Sequence, residues 1–177
     1  MGNKAIFLDR DGTINIDKGY VYKVEDLKFL PGAINSLRKL QEGYKLIIIT
    51  NQSGIGRGYY SKDDYFNFRD YMHKKLRKHG ISITAEYFCP HNPEDNCNCR
   101  KPKTGMLEQA ANGFDLNLKE CWMIGDSSKD IQAGKNAGCK TIRVLTGEEN
   151  QIDYADFVAR DLTEAAAYIF TYTLYCY

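Results

Sequence analysis

Ala5-Ile6-Phe7-Leu8-Asp9-Arg10-Asp11-Gly12-Thr13 decides how the rest of the chain is read. A short apolar run ends abruptly in two carboxylates one residue apart, and a glycine follows at once. The run is long enough for a strand buried on both faces, as in a parallel sheet. Gly12 lets the chain turn sharply as it leaves that strand. Asp9 and Asp11 would then lie at the carboxyl end of a central strand, where open α/β sheets bind ligands. Two anions that close repel each other, so the pair calls for a cation between them or for one shifted pKa. The same Asp-x-Asp-Gly pattern occurs in calcium loops and in ordinary turns, and by itself it leaves the cation open.

Outward from this strand the chain alternates between strand and helix. Residues 13–29 read as a loop, and Pro31-Gly32 opens an amphipathic helix through Leu40, closed by Gly43. Leu46-Ile47-Ile48-Ile49 is a second buried strand ending in Thr50-Asn51. The glycine-rich turn Ser53-Gly54-Ile55-Gly56-Arg57-Gly58 follows it. Ser61, with Asp64 three residues on, predicts a helix start with an acidic capping-box partner, and that helix runs to about His79. Residues 83–88 make the next strand, and Thr104 caps a helix that ends near Gly113. Cys121-Trp122-Met123-Ile124 is a fourth strand with Gly125-Asp126 at its end. Residues 130–137 form a helix stopped by Gly138, and residues 140–145 a fifth strand. Phe157-Val158 suggests a short edge strand before a last helix at 162–169. The tail 168–177 carries four tyrosines and either continues that helix or packs as an edge strand. The alternation predicts a Rossmann-like three-layer α/β sandwich, with a mostly parallel central sheet, helices on both faces and one domain over residues 1–177.

Composition narrows the function classes. The 177 residues are 43% apolar and 27% charged, as in a globular domain with a full core. A net charge of +1 gives no broad attraction to nucleic acid or to an anionic membrane, so any anion recognition must be local. The chain shows no signal peptide, no apolar run of transmembrane length and, with Ile at position 6, no myristoylation pattern after Gly2. The expected location is the cytoplasm, where the six cysteines are thiols or metal ligands rather than disulfides.

Asp9, Thr50 and Asp126 end three of these strands, and right-handed crossovers bring such ends to one edge of the sheet. At this point the chain resembles a known family. Asp9-Arg10-Asp11-Gly12-Thr13, Thr50-Asn51-Gln52-Ser53-Gly54, Arg100-Lys101-Pro102 and Gly125-Asp126-x-x-x-Asp130 look like the four motifs of haloacid-dehalogenase-like phosphatases, in the expected order. The heptose-1,7-bisphosphate 7-phosphatases are the most similar branch. The stretch from Asn15 through Asp17, Lys18, Gly19 and Tyr20 to Val21, the glycine-rich turn, Cys89-Pro90-His91, Cys97-x-Cys99-Arg100-Lys101-Pro102 and Gly105-Met106 carry that resemblance. Histidinol-phosphate phosphatases are near relatives with the same cysteine–histidine cluster. Polynucleotide 3′-phosphatases share parts of the pattern, but the near-neutral charge speaks against them.

The resemblance implies a division of labour that the chemistry supports. Asp9 would attack phosphorus and form an aspartyl-phosphate. Asp11 would protonate the leaving alkoxide and then deprotonate the attacking water. Mg2+ would be bound by Asp9, the backbone carbonyl of Asp11 and Asp126, with Asp130 one helical turn on holding a ligand in place. Thr50 and the Asn51 backbone would take the phosphoryl oxygens, with Lys101 as a point charge against them. Asp17, Lys18, Gly19, Tyr20, Gln52, Ser53 and Arg57 are the implied substrate contacts beside Asn51.

A second constellation stands apart from these motifs. Cys89-x-His91-x5-Cys97-x-Cys99 sets four soft or borderline ligands within eleven residues, in a segment without periodicity. Three thiolates and one imidazole complete a tetrahedral Zn2+ shell with no open position, so the site should be structural. The zinc-stabilised loop 89–99 leads directly to Arg100 and Lys101, and Zn2+ is expected to fix both cations beside the phosphate. Cys121 and Cys139 read as core residues, and Cys176 takes no role.

The intervals Asp9 to Thr50 and Thr50 to Lys101 have no room for a cap domain. The cleft should therefore be open, walled by residues 14–24 and the zinc loop. An open cleft could admit a sugar bisphosphate or even a polymer end, with Arg57, Lys18, Lys103 and Arg100 as candidate contacts to a second phosphate. The expected activity is removal of the 7-phosphate from a heptose 1,7-bisphosphate in nucleotide-activated heptose biosynthesis, by a monomer. The alternatives are histidinol phosphate as substrate and a zinc-stapled interaction module without catalysis.

Overall fold

The computed structural model describes residues 3–147 and 154–175. Gly2, Cys176 and Tyr177, considered above, lie outside the described residues. Six strands are formed: β1 Ala5–Leu8, β2 Lys45–Asn51, β3 Ala85–Cys89, β4 Trp122–Gly125, β5 Lys140–Val144 and β6 Phe157–Ala159. They make one sheet in the order β3-β2-β1-β4-β5-β6, and every pairing is parallel. The helices are α1 Ala33–Leu40, α2 Ser53–Gly56, α3 Lys62–Lys78, α4 Gly105–Phe114, α5 Ser128–Ala137 and α6 Leu162–Tyr175.

Two hydrophobic clusters show why the strands read as unbroken apolar runs. Ile6, Leu8, Ile48 and Ile124 point to one face and pack with Leu37 of α1, Met72 of α3 and Ala165 of α6. Phe7, Ile47, Ile49 and Met123 point to the other and pack with Met106 and Leu107 of α4 and Ala133 of α5. Side chains alternate along a strand, so burial on both faces demands apolar residues at every position. The result is the three-layer sandwich expected.

The layering also creates the cleft. The chain winds from β1 through β2 to β3 with α1 and α3 on one face, then from β4 to β5 with α5 on the other. The winding therefore reverses between β1 and β4, which are neighbours in the sheet. Loops leaving those two strands diverge, and a crevice opens at their carboxyl ends. Between β1 and β2 lie a loop and α1; between β2 and β3 lie α2 and α3. No cap is inserted among the described residues in either interval.

Local signals hold with four adjustments. The Ser61 and Asp64 capping box closes α3 as expected, with Asp64 N–H donating to Ser61 Oγ at 3.1 Å and Ser61 N–H to Asp64 Oδ2 at 2.8 Å. Thr104 holds the N-cap position of α4 without a side-chain cap bond; its hydroxyl donates to Glu108 Oε1 at 2.6 Å, and the helix runs through Gly113 to stop where Asp115 adopts φ +50°. Asp tolerates that left-handed conformation better than most residues, so glycine was not needed. The glycine-rich segment winds into the single turn α2 rather than an open loop. The third strand starts at Ala85, and Ile83 instead packs from the preceding loop onto the core. The tail continues α6, where Tyr168 stacks on Phe157 at 3.8 Å and meets Trp122 edge-on. Cys121 and Cys139 are buried as predicted. No helix of the described residues is long and apolar enough to cross a membrane.

Candidate active site

The strand ends place the carboxylates. Asp9 follows β1 directly, and its N–H donates to Ile124 O at 2.9 Å, so the ladder to β4 reaches the acid itself. Asp126 follows β4 across the crevice. Gly12 takes φ +79°, and a Cβ there would lie 2.5 Å from Asp126 Oδ2. The turn after Asp11 therefore needs glycine twice, for its backbone and for the room it leaves Asp126. Asp130 is the third residue of α5, fully buried. A Cβ at Gly125 would meet Asp130 Cγ at 2.3 Å, so Gly125 lets this acid pack against the end of β4. Asp9, Asp126 and Asp130 each offer an oxygen within 4.8 Å of the others.

Lys101 binds this cluster together. Its ammonium lies 2.7 Å from Asp9 Oδ1 and 2.5 Å from Asp130 Oδ1, and donates to Ile49 O at 2.7 Å. Three acceptors match its three protons. Asn51 clamps the Lys101 backbone: its Oδ1 accepts from Lys101 N–H at 3.1 Å and its Nδ2 donates to Lys101 O at 3.2 Å. Burial alone would pull the lysine's pKa down, but Asp130 and Asp9 outweigh it and push it up. The acids respond in kind. Burial, joined by Asp130 and Asp126, raises Asp9 well above the usual carboxylate range despite Lys101. Burial and the Asp130 charge push Asp126 up to about 7.

Asp130 has little capacity left. One oxygen faces Lys101, and the other accepts from the N–H and hydroxyl of Ser127 at 3.1 and 2.8 Å. Lys101 holds only one oxygen of Asp9, and an oxygen of Asp126 lies within 4.8 Å of the Asp9 and Asp130 carboxylates. Carboxylate oxygens with their charge unbalanced are a donor set for a hard divalent cation such as Mg2+. The residues present fit that ion.

Asp11 is held in a separate network. Arg10, fully buried, grips it through Nε to Oδ1 at 3.1 Å and Nη2 to Oδ2 at 2.7 Å. Asn15 Nδ2 donates to Oδ1 at 2.8 Å and Gln52 Nε2 to Oδ2 at 3.1 Å. Arg10 itself is secured by Val21 O at 2.6 Å and lies over the Phe68 ring at 4.7 Å. The two acids of the opening motif thus sit in different surroundings, one beside the cation cluster and one in an arginine fork.

The sulfur cluster lies one segment away. Cys89, His91, Cys97 and Cys99 are drawn together, with Sγ···Sγ distances of 3.5 and 3.4 Å and Sγ···Nδ1 distances of 3.6 and 3.3 Å. A tetrahedron with Zn–S of about 2.3 Å has edges of about 3.7 Å, so these four atoms fit a Zn2+ shell with slight contraction. The Arg100 N–H hydrogen bond and the neighbouring thiols lower Cys97 to about 7 against the opposing effect of burial, whereas burial pushes Cys89 up to about 12. Arg100 Nη1 reaches back to His91 O at 3.4 Å, tying the loop to the cleft.

The cleft encloses about 380 Å3. Of the residues singled out in the sequence, Asp9, Asp11, Thr50, Lys101, Asp126 and Asp130 line its floor. Asp17, Gly19 and Tyr20 line one wall, and Asn51, Gln52, Ser53 and Arg100 another. Lys18, Arg57 and Lys103 do not line it. Lys18 pairs with Asp26 at 3.0 Å, Lys103 donates to Asn96 O at 2.8 Å, and Arg57 is exposed beyond α2. Tyr60, Ser127 and Lys129 line the cleft without having been singled out, and Arg10 and Asn15 stand behind it. Arg10 carried a signal, as a cation wedged between two acids; Tyr60 and Lys129 carried none.

Known proteins match this arrangement. A family model described as HAD-hydrolase-like matches residues 98–165. The chain is 49% identical over 155 residues to a D-glycero-alpha-D-manno-heptose-1,7-bisphosphate 7-phosphatase of Campylobacter jejuni, covering 87% of this chain and 89% of that one. It is 40% identical over 181 residues to a D-glycero-beta-D-manno-heptose-1,7-bisphosphate 7-phosphatase of Haemophilus ducreyi, covering 96% and 100%. Among solved structures, a D,D-heptose 1,7-bisphosphate phosphatase of B. bronchiseptica complexed with magnesium and phosphate superposes with a TM-score of 0.86 at 32% identity, covering 96% of this chain and 98% of that one.

Proposed function

Because the chain belongs to the D-glycero-D-manno-heptose-1,7-bisphosphate 7-phosphatase family of HAD-like hydrolases, we propose that it removes the 7-phosphate from such a heptose bisphosphate. It is a phosphatase of α/β fold. The observation that carries the reading is the separation of Asp9 from Asp11. Asp9, held on one oxygen by Lys101, keeps the other for in-line attack on phosphorus. Asp11, oriented by Arg10, Asn15 and Gln52, stands beside it to move the proton.

The steps follow from these roles. The free Asp9 oxygen bonds to phosphorus as the bond from phosphorus to the sugar oxygen breaks, and the Asp11 proton goes to that oxygen. Water then attacks the aspartyl-phosphate, Asp11 takes its proton, and inorganic phosphate leaves. Thr50 Oγ1 accepts from Gln52 Nε2 at 2.8 Å, which leaves its own proton for a phosphoryl oxygen. Mg2+, held by Asp9 and Asp126 with Asp130 in support, supplies charge neutralisation of the phosphoryl group when bound. Zn2+ in the Cys89, His91, Cys97 and Cys99 shell supplies rigidity to the loop that presents Arg100 and Lys101.

Arg100 and Lys129, both at the cleft, are the cations left for the second phosphate of the substrate. We take the protein to act as a monomer, and the thiol ligands are in keeping with a reducing cytoplasm. The test is Mg2+-dependent phosphate release from both anomers of the heptose bisphosphate, histidinol phosphate and a 3′-phosphorylated oligonucleotide. Heptose bisphosphate should be turned over with the highest kcat/KM, and Asp9→Asn should be folded and inactive. Preference for histidinol phosphate or the oligonucleotide would refute the substrate, and an active Asp9→Asn would refute the mechanism.

A further inference from the structure

We propose that Tyr60 is a positioning residue for the acid–base step, acting through Gln52 on Asp11. Tyr60 is buried, and its hydroxyl donates to Gln52 Oε1 at 2.6 Å. Arg10 Nη2, which can only donate, approaches the same oxygen at 3.3 Å. The amide orientation follows from the guanidinium, because a flipped carboxamide would turn its NH2 toward a group that cannot accept, and in this orientation the phenol donates its proton to the amide oxygen. The amide nitrogen must then face the other way. It does, donating to Asp11 Oδ2 at 3.1 Å and to Thr50 Oγ1 at 2.8 Å.

The tyrosine is itself well held. Its ring stacks on Tyr22 at 4.7 Å with an interplanar angle of 11°. A Cβ at Gly54 would lie 2.1 Å from Tyr60 Cε1, so the ring rests directly on α2 where only glycine leaves space. Burial raises the phenol pKa above its ordinary value, which keeps it a donor at neutral pH. Without the hydroxyl, the oxygen end of the amide is held by the longer Arg10 contact alone, and the bonds of its nitrogen to Asp11 and Thr50 are less firmly set. A rotated amide withdraws the N–H that holds Asp11 Oδ2, and the acid leaves the position from which it protonates the departing oxygen.

This inference rests on the reading of Asp11 as the acid. The test compares Tyr60→Phe, Gln52→Met and the double variant on two leaving groups. One is an alkyl phosphate, the heptose bisphosphate, whose alkoxide needs a proton. The other is para-nitrophenyl phosphate, whose nitrophenolate departs without one. Through kcat/KM both report the steps up to the aspartyl-phosphate. Tyr60→Phe should lower kcat/KM on the alkyl phosphate about 10-fold, mostly in kcat, as befits partial loss of general-acid catalysis. The loss on para-nitrophenyl phosphate should be several-fold smaller, and Tyr60→Phe should add nothing in the Gln52→Met background. Equal losses on both substrates, no loss on either, or an undiminished effect in the Gln52→Met background would each overturn the proposal. If the enzyme prefers another alkyl phosphate, the substrate proposed above fails while this comparison is made on the preferred one.

Discussion

Replacing Lys101 by methionine removes one ammonium while keeping much of the side-chain volume. In the folded chain that ammonium lies 2.7 Å from Asp9 and 2.5 Å from Asp130, at 3% exposure. Removing one partner from a buried ion pair costs about 3–5 kcal/mol, because the remaining charge is left in a poorly polarisable surrounding. For a chain of this size 1 kcal/mol corresponds to about 2–4 °C, so the melting temperature should fall by roughly 6–20 °C. The sign of the pH dependence follows from the shifts. Lys101 is raised, so its contribution is complete below the unfolded lysine pKa and is lost only in strong base. On the acid side the carboxylates decide. Asp9 is raised well above its ordinary value and Asp126 to about 7, so protonation of the cluster removes the need for the lysine. The deficit should be largest at pH 7.5 and narrow toward pH 5. Calorimetry in magnesium-free buffer at the two pH values measures it. A variant that melts within about 2 °C of the parent at pH 7.5, or one whose deficit widens in acid, would refute the reasoning. With Mg2+ restored, kcat should still fall about 10²–10³-fold, the effect of losing one preorganised charge at the reacting group.

Three further outcomes are expected. Cys97→Ser should lower bound zinc by metal analysis and reduce kcat/KM about 10-fold or more, since Arg100 and Lys101 lose their anchored loop; unchanged catalysis without zinc would disprove the coupling. Arg100→Met and Lys129→Met should each raise KM for the bisphosphate roughly 5-fold, as expected for one charge-assisted contact in a solvated cleft, and leave KM for a monophosphate ester unchanged. Asp126 titrates near 7 in the metal-free fold, above its unfolded value, so that fold loses stability as pH rises through about 7 while metal binds the deprotonated form. Mg2+ should therefore raise the melting temperature more at pH 8 than at pH 5.5, and Asp126→Asn should narrow the difference, since Asp9 is raised as well.

The strands were legible because burial on both faces writes itself into consecutive positions, as in Ile6, Phe7 and Leu8. Their ends were legible because an acid or hydroxyl closing such a run is a local signal. The strand order was not, since which side of β1 receives β4 depends on helix packing across the whole sheet. Arg57 shows how a local signal misleads. Its place in the glycine-rich turn made it a candidate contact to a second phosphate, but α2 winds there and Arg57 does not line the cleft. Lys129 shows the converse. It is one lysine in the first turn of α5, a position with no pattern to mark it, and only the fold brings it to the cleft. Tyr60 belongs to the same class. Its partner Gln52 is eight residues away, and α2 must turn the chain back before the two can meet.

The charges of the cleft explain why metal and phosphate belong together. With every group ionised, Asp9, Asp126 and Asp130 set three negative charges against the single positive charge of Lys101. Arg10 and Asp11 cancel within their own pair. A phosphate dianion approaching this floor meets the repulsion of that excess negative charge. The cluster relieves the same repulsion by holding protons, as the raised pKa values of Asp9 and Asp126 indicate. A protonated Asp9 cannot attack phosphorus. A divalent cation held by Asp9 and Asp126 would remove both obstacles at once, because it would cancel two charges and favour the deprotonated nucleophile. A metal requirement would thus arise from the resting electrostatics of the fold before any demand of the transition state, and the proposed role of Arg100 and Lys129 toward a second phosphate is separate from it.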